Sequence, residues 1–200
     1  MAKIDTSKWK EFKIGSIFDI HPTKAYKLTN SRLFEEDGVN PVVVNSSYNN
    51  GVGGYTNLST TETGNIITFS DTTSADAIFY QENDFVGYPH VQGLYPHSEY
   101  KEKWTKYSLL FFLTEMKKAA FSLGFDYVFK FIREIAKEIA VKLPVLSDGT
   151  PDYDYMERFM KEIESKALDH LDNLNYVCKK KKTVIDLSHW REFSISCIEM

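Results

Sequence analysis

The chain has 200 residues, 42% of them hydrophobic and 14% aromatic, so it can bury an ordinary core and is not disordered by composition. Its formal net charge of −4 argues against a general polyanion binder, although it leaves room for a local basic patch. The two cysteines, Cys178 and Cys197, fit neither a disulfide framework nor a zinc site, and no apolar run is long enough to span a membrane. Because residues 1–5 show no signal-peptide pattern, a cytoplasmic protein is expected.

The first residues of the chain reappear near its end. Residues 184–200 repeat residues 3–19 in register, and the matched positions include Trp9 and Trp190. A match of this density that includes a tryptophan indicates a repeated unit. The sequence therefore predicts one complete unit followed by the opening of a second. In the first copy, residues 12–18 are expected to begin a strand and a short helical turn.

Residues 21–94 are predicted to alternate between strands and polar loops. Runs of β-branched and aromatic residues are separated by segments rich in Gly, Asn, Ser and Thr, which favour turns. The predicted strands lie in residues 41–44, 64–69 and 77–80, and residues 85–94 add a further region of loop and strand. The predicted loops are residues 21–40, 45–56 and 70–76.

The second half of the chain is predicted to be mainly helical. Apolar residues at helical spacing predict a helix over residues 108–120, and the aromatic residues within 125–132 are expected in the core. Residues 135–141 are compatible with either a helix or a strand. The whole pattern predicts an α+β fold. A mixed, mainly antiparallel β domain occupies residues 1–143, and a loop and a long C-terminal α-helix follow in residues 144–183.

The long helix has a well-marked predicted start. Asp148 and Gly149 supply a turn, Thr150 offers an N-cap hydroxyl, and Pro151 suits the first helical position. A helix from there to about Cys178 would have roughly 28 residues and a length of about 42 Å. One apolar stripe runs along it, formed by Met156, Met160, Ile163, Ala167, Leu171 and Leu174. Such a stripe either folds back on its own domain or pairs with a second helix.

The polar loops carry the kinds of side chain that hold and read nucleic acid. Asn, Gln, Ser, Thr, Arg and Lys recognise base edges, and contacts to phosphates fix the register. The candidate DNA-contacting residues are Lys24, Tyr26, Lys27, Arg32, Asn45, Ser46, Ser47, Tyr48, Asn49, Asn50, Thr72, Thr73, Ser74, Tyr88, His90 and Gln92. Polar loops face solvent in most proteins, so each position alone is also compatible with a simple surface role.

No catalytic motif is present in the sequence. The glycines of residues 51–54 lack the lysine of a phosphate-binding loop and the later glycine of a dinucleotide-binding fingerprint. The histidines lack metal-ligand spacing, and no nucleophile has a recognisable activating partner. No cofactor is expected. The enzymatic alternative is a metal-dependent hydrolase that uses Asp71, Asp76 and His90.

Four stretches of the chain resemble the specificity subunits of Type I restriction-modification systems. They are residues 9–18, residues 50–55, residues 142–153 and the long helix. The most specific stretch is the third, which reads Lys-Leu-Pro-Val and then Asp-Gly-Thr-Pro-Asp-Tyr. In that family a subunit carries two target-recognition domains, each followed by a conserved helix, and the two helices pair antiparallel as a spacer.

The resemblance implies a protein without catalytic activity that reads one half of a bipartite double-stranded DNA target. Methyltransferase and restriction subunits, docked through the helix, would do the chemistry. The chain departs from the family in length, because it holds one recognition domain and one helix. It therefore resembles half of a subunit, and a homodimer with paired helices would read a palindromic split site. The alternative is an assembly scaffold, or a truncated fragment, with negligible affinity for DNA.

Overall fold

The computed structural model describes residues 4–71, 75–125 and 129–184. The strands are β1 (Lys10–Lys13), β2 (Phe18–Pro22), β3 (Asn40–Val43), β4 (Val52–Thr56), β5 (Ile66–Ser70), β6 (Ile78–Gln81), β7 (Val91–Pro96) and β8 (Ala140–Leu143). The helices are α1 (Asn30–Leu33), α2 (Lys106–Ser122), α3 (Arg133–Glu138) and α4 (Tyr153–Val184). The chain divides into two compact units, residues 1–160 and residues 161–200.

The strands of the first unit form three antiparallel groups. The largest is a four-stranded sheet with the order β2-β7-β5-β6, while β1 pairs with β8 and β3 pairs with β4. Parallel pairing is limited in the described part to single bridges such as Val42 with Val86. The predicted α+β fold, with mainly antiparallel strands and a long C-terminal helix, is therefore confirmed.

One face of the four-stranded sheet packs against α2. Side chains alternate along a strand, so Ile67 and Phe69 of β5 point to the same side and both are buried in the main core. On α2, Phe112 lies 4.8 Å from Phe18 and 5.5 Å from Trp104 between ring centroids. The predicted helix at residues 108–120 is confirmed, and the apolar residues whose spacing predicted it form the core-facing side of α2.

The opposite face of the sheet is covered by β3 and the segment before β7. Val43 is buried there with Ile66, Phe85 and Val91. Beside it lies a second small cluster of Leu33, Val42 and Val86, and half-buried Tyr26, Phe34, Val44, Leu58 and Tyr88 pack on that cluster. This second layer positions the loops discussed below.

Two predicted loops contain regular structure that the sequence did not reveal. The short helix α1 lies within residues 21–40, and β4 lies within residues 45–56, where glycine-rich composition hid a hairpin. The ambiguous residues 135–141 are divided between the end of α3 and the start of β8. Short elements of this kind form because the surrounding chain packs on them.

The start of α4 differs from the prediction by two residues. The helix begins at Tyr153, and Asp152 is its N-cap, because its Oδ1 accepts the N–H of Tyr155 at 2.9 Å. Thr150 instead donates its hydroxyl to Asp148 Oδ1 at 2.7 Å. Pro151 forms a bridge with Val145 and so lies outside the helix.

The first turns of α4 belong to the first unit. Met156 is fully buried in the main core, and Tyr153, Phe159 and Met160 pack against that core. The domain boundary expected at residue 143 stays a prediction, as does the repeated segment, which lies outside the described residues from 185 onward. No helix within the described ranges is both long enough and apolar enough to cross a membrane.

Candidate nucleic-acid interface

The loop of residues 24–32, here called the basic loop, is fixed at both ends to the start of β7 and the segment that precedes it. At its start, the N–H of Thr23 donates to Val91 O at 2.9 Å, and Ala25 forms a bridge with Gly87. At its far end, Tyr88 Oη donates to Asn30 Oδ1 at 2.9 Å. The basic loop is therefore held in place by backbone and side-chain bonds from a neighbouring segment.

A buried glutamate also holds the basic loop in place. Glu62 is 7% exposed, and its two carboxyl oxygens accept the N–H of Lys24 at 2.6 Å and the hydroxyl of Tyr95 at 2.7 Å. The Tyr95 ring covers Gly93 and stacks on His21 at a centroid distance of 3.9 Å. Burial, and then the bond to Glu62, raises the pKa of Tyr95, so its hydroxyl stays a donor.

The turn of residues 45–50, here called the hairpin tip, connects β3 to β4 and is closed by its own backbone. Val44 N–H donates to Gly51 O at 2.8 Å, and Ser46 Oγ accepts the N–H of Tyr48 at 3.1 Å. Asn49 and Asn50 both have positive φ, at 51° and 53°, a conformation that asparagine tolerates better than most residues. The tip is therefore a defined turn with exposed polar side chains.

The hairpin tip is also tied to the edge of the four-stranded sheet. Asn50 Nδ2 donates to Tyr80 O at 3.0 Å, and Gln81 Nε2 donates back to Asn50 O at 3.1 Å. Asn50 was a candidate DNA contact, but its amide N–H group is used in this tie. We assign it a structural role.

The cations of the basic loop differ from several others in the first unit. Lys24, Lys27 and Arg32 are exposed, and none of them forms an ion pair with a carboxylate in the part of the chain that the structure describes. Elsewhere, glutamates pair with Lys13, Lys106, Lys118, Arg133 and Lys142. The positive charge of the basic loop is therefore available to an external anion.

The candidate DNA-contacting residues other than Asn50 and Gln92 differ in exposure. The exposed ones are Lys24, Lys27, Arg32, Asn45, Ser47, Tyr48, Asn49 and His90. Tyr26, Ser46 and Tyr88 are half-buried, and both tyrosines donate hydroxyl bonds that brace the loops. Thr72, Thr73 and Ser74 lie outside the described residues.

Gln92 requires a correction. It is only 4% exposed, because its position on β7 is opposite Phe69 of β5, on the side of the sheet that faces the main core. Its Nε2 donates to Asp71 Oδ2 at 3.0 Å. A buried amide cannot reach a base edge, so Gln92 positions Asp71 instead of contacting DNA.

A family model described as the Type I restriction modification DNA specificity domain matches residues 6–173. The chain belongs to this family. The family is one of DNA specificity domains and not of enzymes, which agrees with the sequence-based expectation of a recognition protein.

Individual relatives agree with this assignment. The chain is 28% identical over 165 residues to the Type II restriction enzyme BgcI specificity subunit S.BcgI of Heyndrickxia coagulans, covering 80% of this chain and 45% of that protein. The S subunit of a Type I system from M. genitalium matches at 16% identity with a TM-score of 0.53, covering 87% of this chain and 44% of that one. HsdS from Thermoanaerobacter tengcongensis matches at 11% identity with a TM-score of 0.52, covering 84% and 40%.

These structural matches show the fold of a specificity domain. The chain spans less than half the length of each of the three relatives. The binding partners of the complete subunits are therefore only proposed for this chain.

The hydrolase alternative gains no support from the specificity domain. Within the described residues, no group of three or more His, Cys, Asp or Glu side chains could hold a metal ion. Asp71 contacts His90 through the backbone, since its N–H donates to His90 O at 2.8 Å. Burial, and then the negative charge of Glu134, raises the pKa of Asp71, whose carboxyl group accepts a bond from Gln92. These contacts are structural.

The predicted dimerisation stripe divides between core and surface. Met156 must be removed from it, because it is fully buried within its own specificity domain, and Met160 also packs on that core. Ile163 is half-buried, while Ala167, Leu171 and Leu174 are exposed. The last two are 54% and 61% exposed.

Sequence reasoning missed several residues that matter for this surface. Leu168, which is 55% exposed, adds to the apolar surface of α4, although it was not part of the predicted stripe. Glu62, Asn30 and Tyr95 position the basic loop. Glu62 stands between Thr61 and Thr63 in a polar segment, so nothing in the sequence pointed to it or to its partners.

Proposed function

We propose that the specificity domain binds double-stranded DNA in a sequence-dependent way, through the basic loop, the hairpin tip and His90, and reads one half of a bipartite target. The match of the DNA specificity family to residues 6–173 carries this proposal. The three cations of the basic loop, free of carboxylate partners in the described part, give the binding a location. The chain acts in the cytoplasm, in a complex whose methyltransferase and restriction subunits do the chemistry.

The test removes the three cations together. The 200-residue chain and its Lys24→Ala, Lys27→Ala, Arg32→Ala triple variant are titrated with a pool of duplexes of randomised sequence and with duplexes selected from that pool. If each side chain neutralises one phosphate, the variant binds more weakly to all duplexes, and the slope of log affinity against log salt falls by about 2.7.

A matched control separates phosphate contact from net charge. The Lys13→Ala, Lys118→Ala, Lys142→Ala variant loses the same charge from lysines that pair with glutamates. Its affinity and salt slope should stay close to those of the wild type. Equal losses in both variants would contradict the assigned location, and no selective binding by the wild type would contradict DNA recognition itself.

The exposed part of α4 supports a second element of the proposal, namely helix pairing. Leu168, Leu171 and Leu174 are each more than half exposed, although large apolar side chains are costly to leave in water. We place a second copy of α4 against them, antiparallel, in a homodimer that reads a palindromic split site and offers the paired helices to methyltransferase subunits. A C2 interface of this kind uses the same patch on both copies.

Light scattering across a concentration series tests the pairing. The wild type should show a mass twice that of one chain, and Leu171→Asp should give a monomer, because it places an unpaired charge in the apolar contact. Asn173→Asp is the control, since it adds the same charge about 200° away around the helix. A dimer that survives Leu171→Asp would contradict this interface.

The scaffold alternative predicts a different combination of results. An assembly scaffold would bind a methyltransferase subunit through α4 and retain no duplex in a salt-sensitive way. The exposed leucines of α4 are the observation that favours it. Duplex titrations with and without a methyltransferase subunit decide between the two functions.

A further inference from the structure

The charge of the first unit is separated along the sequence. Residues 33–100 contain no lysine or arginine but nine aspartates and glutamates. Before residue 101, the lysines and arginines therefore lie only in the basic loop and in residues 3–13. The hairpin tip lies inside the cation-free stretch, so it has no charged group with which to hold a phosphate.

The hairpin tip is nevertheless built as a fixed platform. Its stem is closed by the bond between Val44 and Gly51, and Asn50 ties it to β6. Asn45 and Tyr48 project from this platform, and their side chains make no hydrogen bond with any described residue. Tyr48 is 80% exposed, the highest value among the exposed large hydrophobic side chains of the described part.

The hairpin tip and the basic loop start from the same small cluster. Val44, the residue before the tip, packs on the cluster of Leu33, Val42 and Val86. Tyr26 of the basic loop packs on the same cluster. Val42 forms a parallel bridge with Val86, and Ala25 forms a parallel bridge with Gly87 of the same segment. The chain therefore runs from β3 into the hairpin tip in the same direction as it runs from Ala25 into the basic loop. One ligand can therefore contact both elements.

We infer that the two elements divide the contact with DNA: the basic loop holds phosphates, and the hairpin tip reads base edges through Asn45 and Tyr48 without touching a phosphate. This inference rests on the proposed function. An unpaired Asn amide offers the donor and acceptor pair that matches adenine in the major groove, and an aromatic ring offers apolar contact.

The experiment measures two quantities for each variant, the salt slope and the preference among bases at every position of duplexes selected by the wild type. Asn45→Ala should lose about 5- to 150-fold discrimination at one base position, with an unchanged salt slope. Tyr48→Ala should also relax the preference at one position without changing the slope. Lys27→Ala should lower the slope by about 0.9 and weaken all sequences alike.

The control is Asn57→Ala, an exposed asparagine just beyond the other end of β4. It should change neither quantity, and none of these exposed substitutions should alter the urea midpoint of unfolding. Selectivity that survives both Asn45→Ala and Tyr48→Ala would overturn the inference, and so would a reduced slope in those variants. A wild type that binds no duplex selectively would instead reject the proposed function on which the inference depends.

Discussion

The two faces of the four-stranded sheet are built by different means. On the face toward α2, Ile67 and Phe69 join an aromatic core that includes Trp104 and Phe112. On the opposite face, Thr68 accepts a bond from Gln81, and Tyr95 donates to the buried Glu62. The first face is held by apolar burial, which is nondirectional, whereas the second depends on particular polar pairs. The difference suggests that one face maintains the fold and the other sets the shape of the binding loops.

The largest expected effect comes from the apolar face. Phe112→Ala should lower the free energy of unfolding by about 3–5 kcal/mol, because it leaves a cavity between Phe18 and Trp104. Urea unfolding followed by circular dichroism measures the change. Phe121→Ala on the same helix is the control, since this side chain is 55% exposed and should cost no more than about 0.5 kcal/mol. Similar losses in both variants would mean that α2 does not pack as described.

A smaller effect is expected on the polar face. Glu62→Ala should cost about 1–3 kcal/mol, because it leaves the half-buried Tyr95 hydroxyl and the Lys24 N–H without their acceptor. Unlike Phe112→Ala, it should also reduce DNA affinity under conditions in which the variant is fully folded. Tyr95→Phe removes one bond and keeps the ring, so it should cost less than Glu62→Ala. A loss of stability without any loss of affinity would contradict the role of Glu62 in holding the basic loop.

The tie between the hairpin tip and β6 should contribute less again. Asn50→Gly keeps the left-handed backbone and removes the side-chain bond to Tyr80 O, for a loss of about 1 kcal/mol. Base discrimination should fall together with this loss, since the tip is no longer fixed. Asn49→Gly is the matched variant, because its side chain bonds only within the hairpin, to Val52 O. Equal effects on discrimination would show that the tie to β6 does not orient the tip.

The smallest effect concerns the pH dependence of stability. The folded pKa of Tyr95 is raised above its usual value of 10.0, so in this range the unfolded chain loses a proton that the folded chain keeps. The free energy of unfolding should therefore decrease as the pH rises from about 9 to about 11. Tyr95→Phe should make this decrease shallower, as measured by urea unfolding across that range. An unchanged pH dependence would mean that Tyr95 is not buried against Glu62.

Periodic segments were predictable from the sequence, and short elements were not. The spacing of Leu109, Phe112 and Met116 predicted α2, because a helix of that length must face the core with one side. The runs that became β3, β5 and β6 were likewise identified by composition. In contrast, α1 has only four residues, about one helical turn, and two of the five residues of β4 are glycines. Neither segment is therefore long enough to show a periodic apolar pattern. Their stability comes from Phe34 and Val44 packing in the second layer.

The candidate site shows the same limit more sharply. Composition identified the polar loops, yet Gln92 was assigned to them although β7 places it on the core side. Along a strand, a shift of one residue reverses the side on which a side chain lies, so composition alone cannot separate a base contact from a buried amide. Met156 shows the equivalent problem on a helix, since one stripe can serve the core in its first turns and the surface further on.

By itself, the sequence determined the family, the α+β class, the long helix and the loops that carry polar side chains. Each of these depends on local patterns: periodicity, turn chemistry and motifs of a few residues. Only the tertiary structure decided which cations lack carboxylate partners, which loop is braced by Glu62, and which polar residues are buried. Those properties depend on contacts between residues far apart in the chain, and bonds such as that between Glu62 and Tyr95 exist only after the second layer has packed on the sheet.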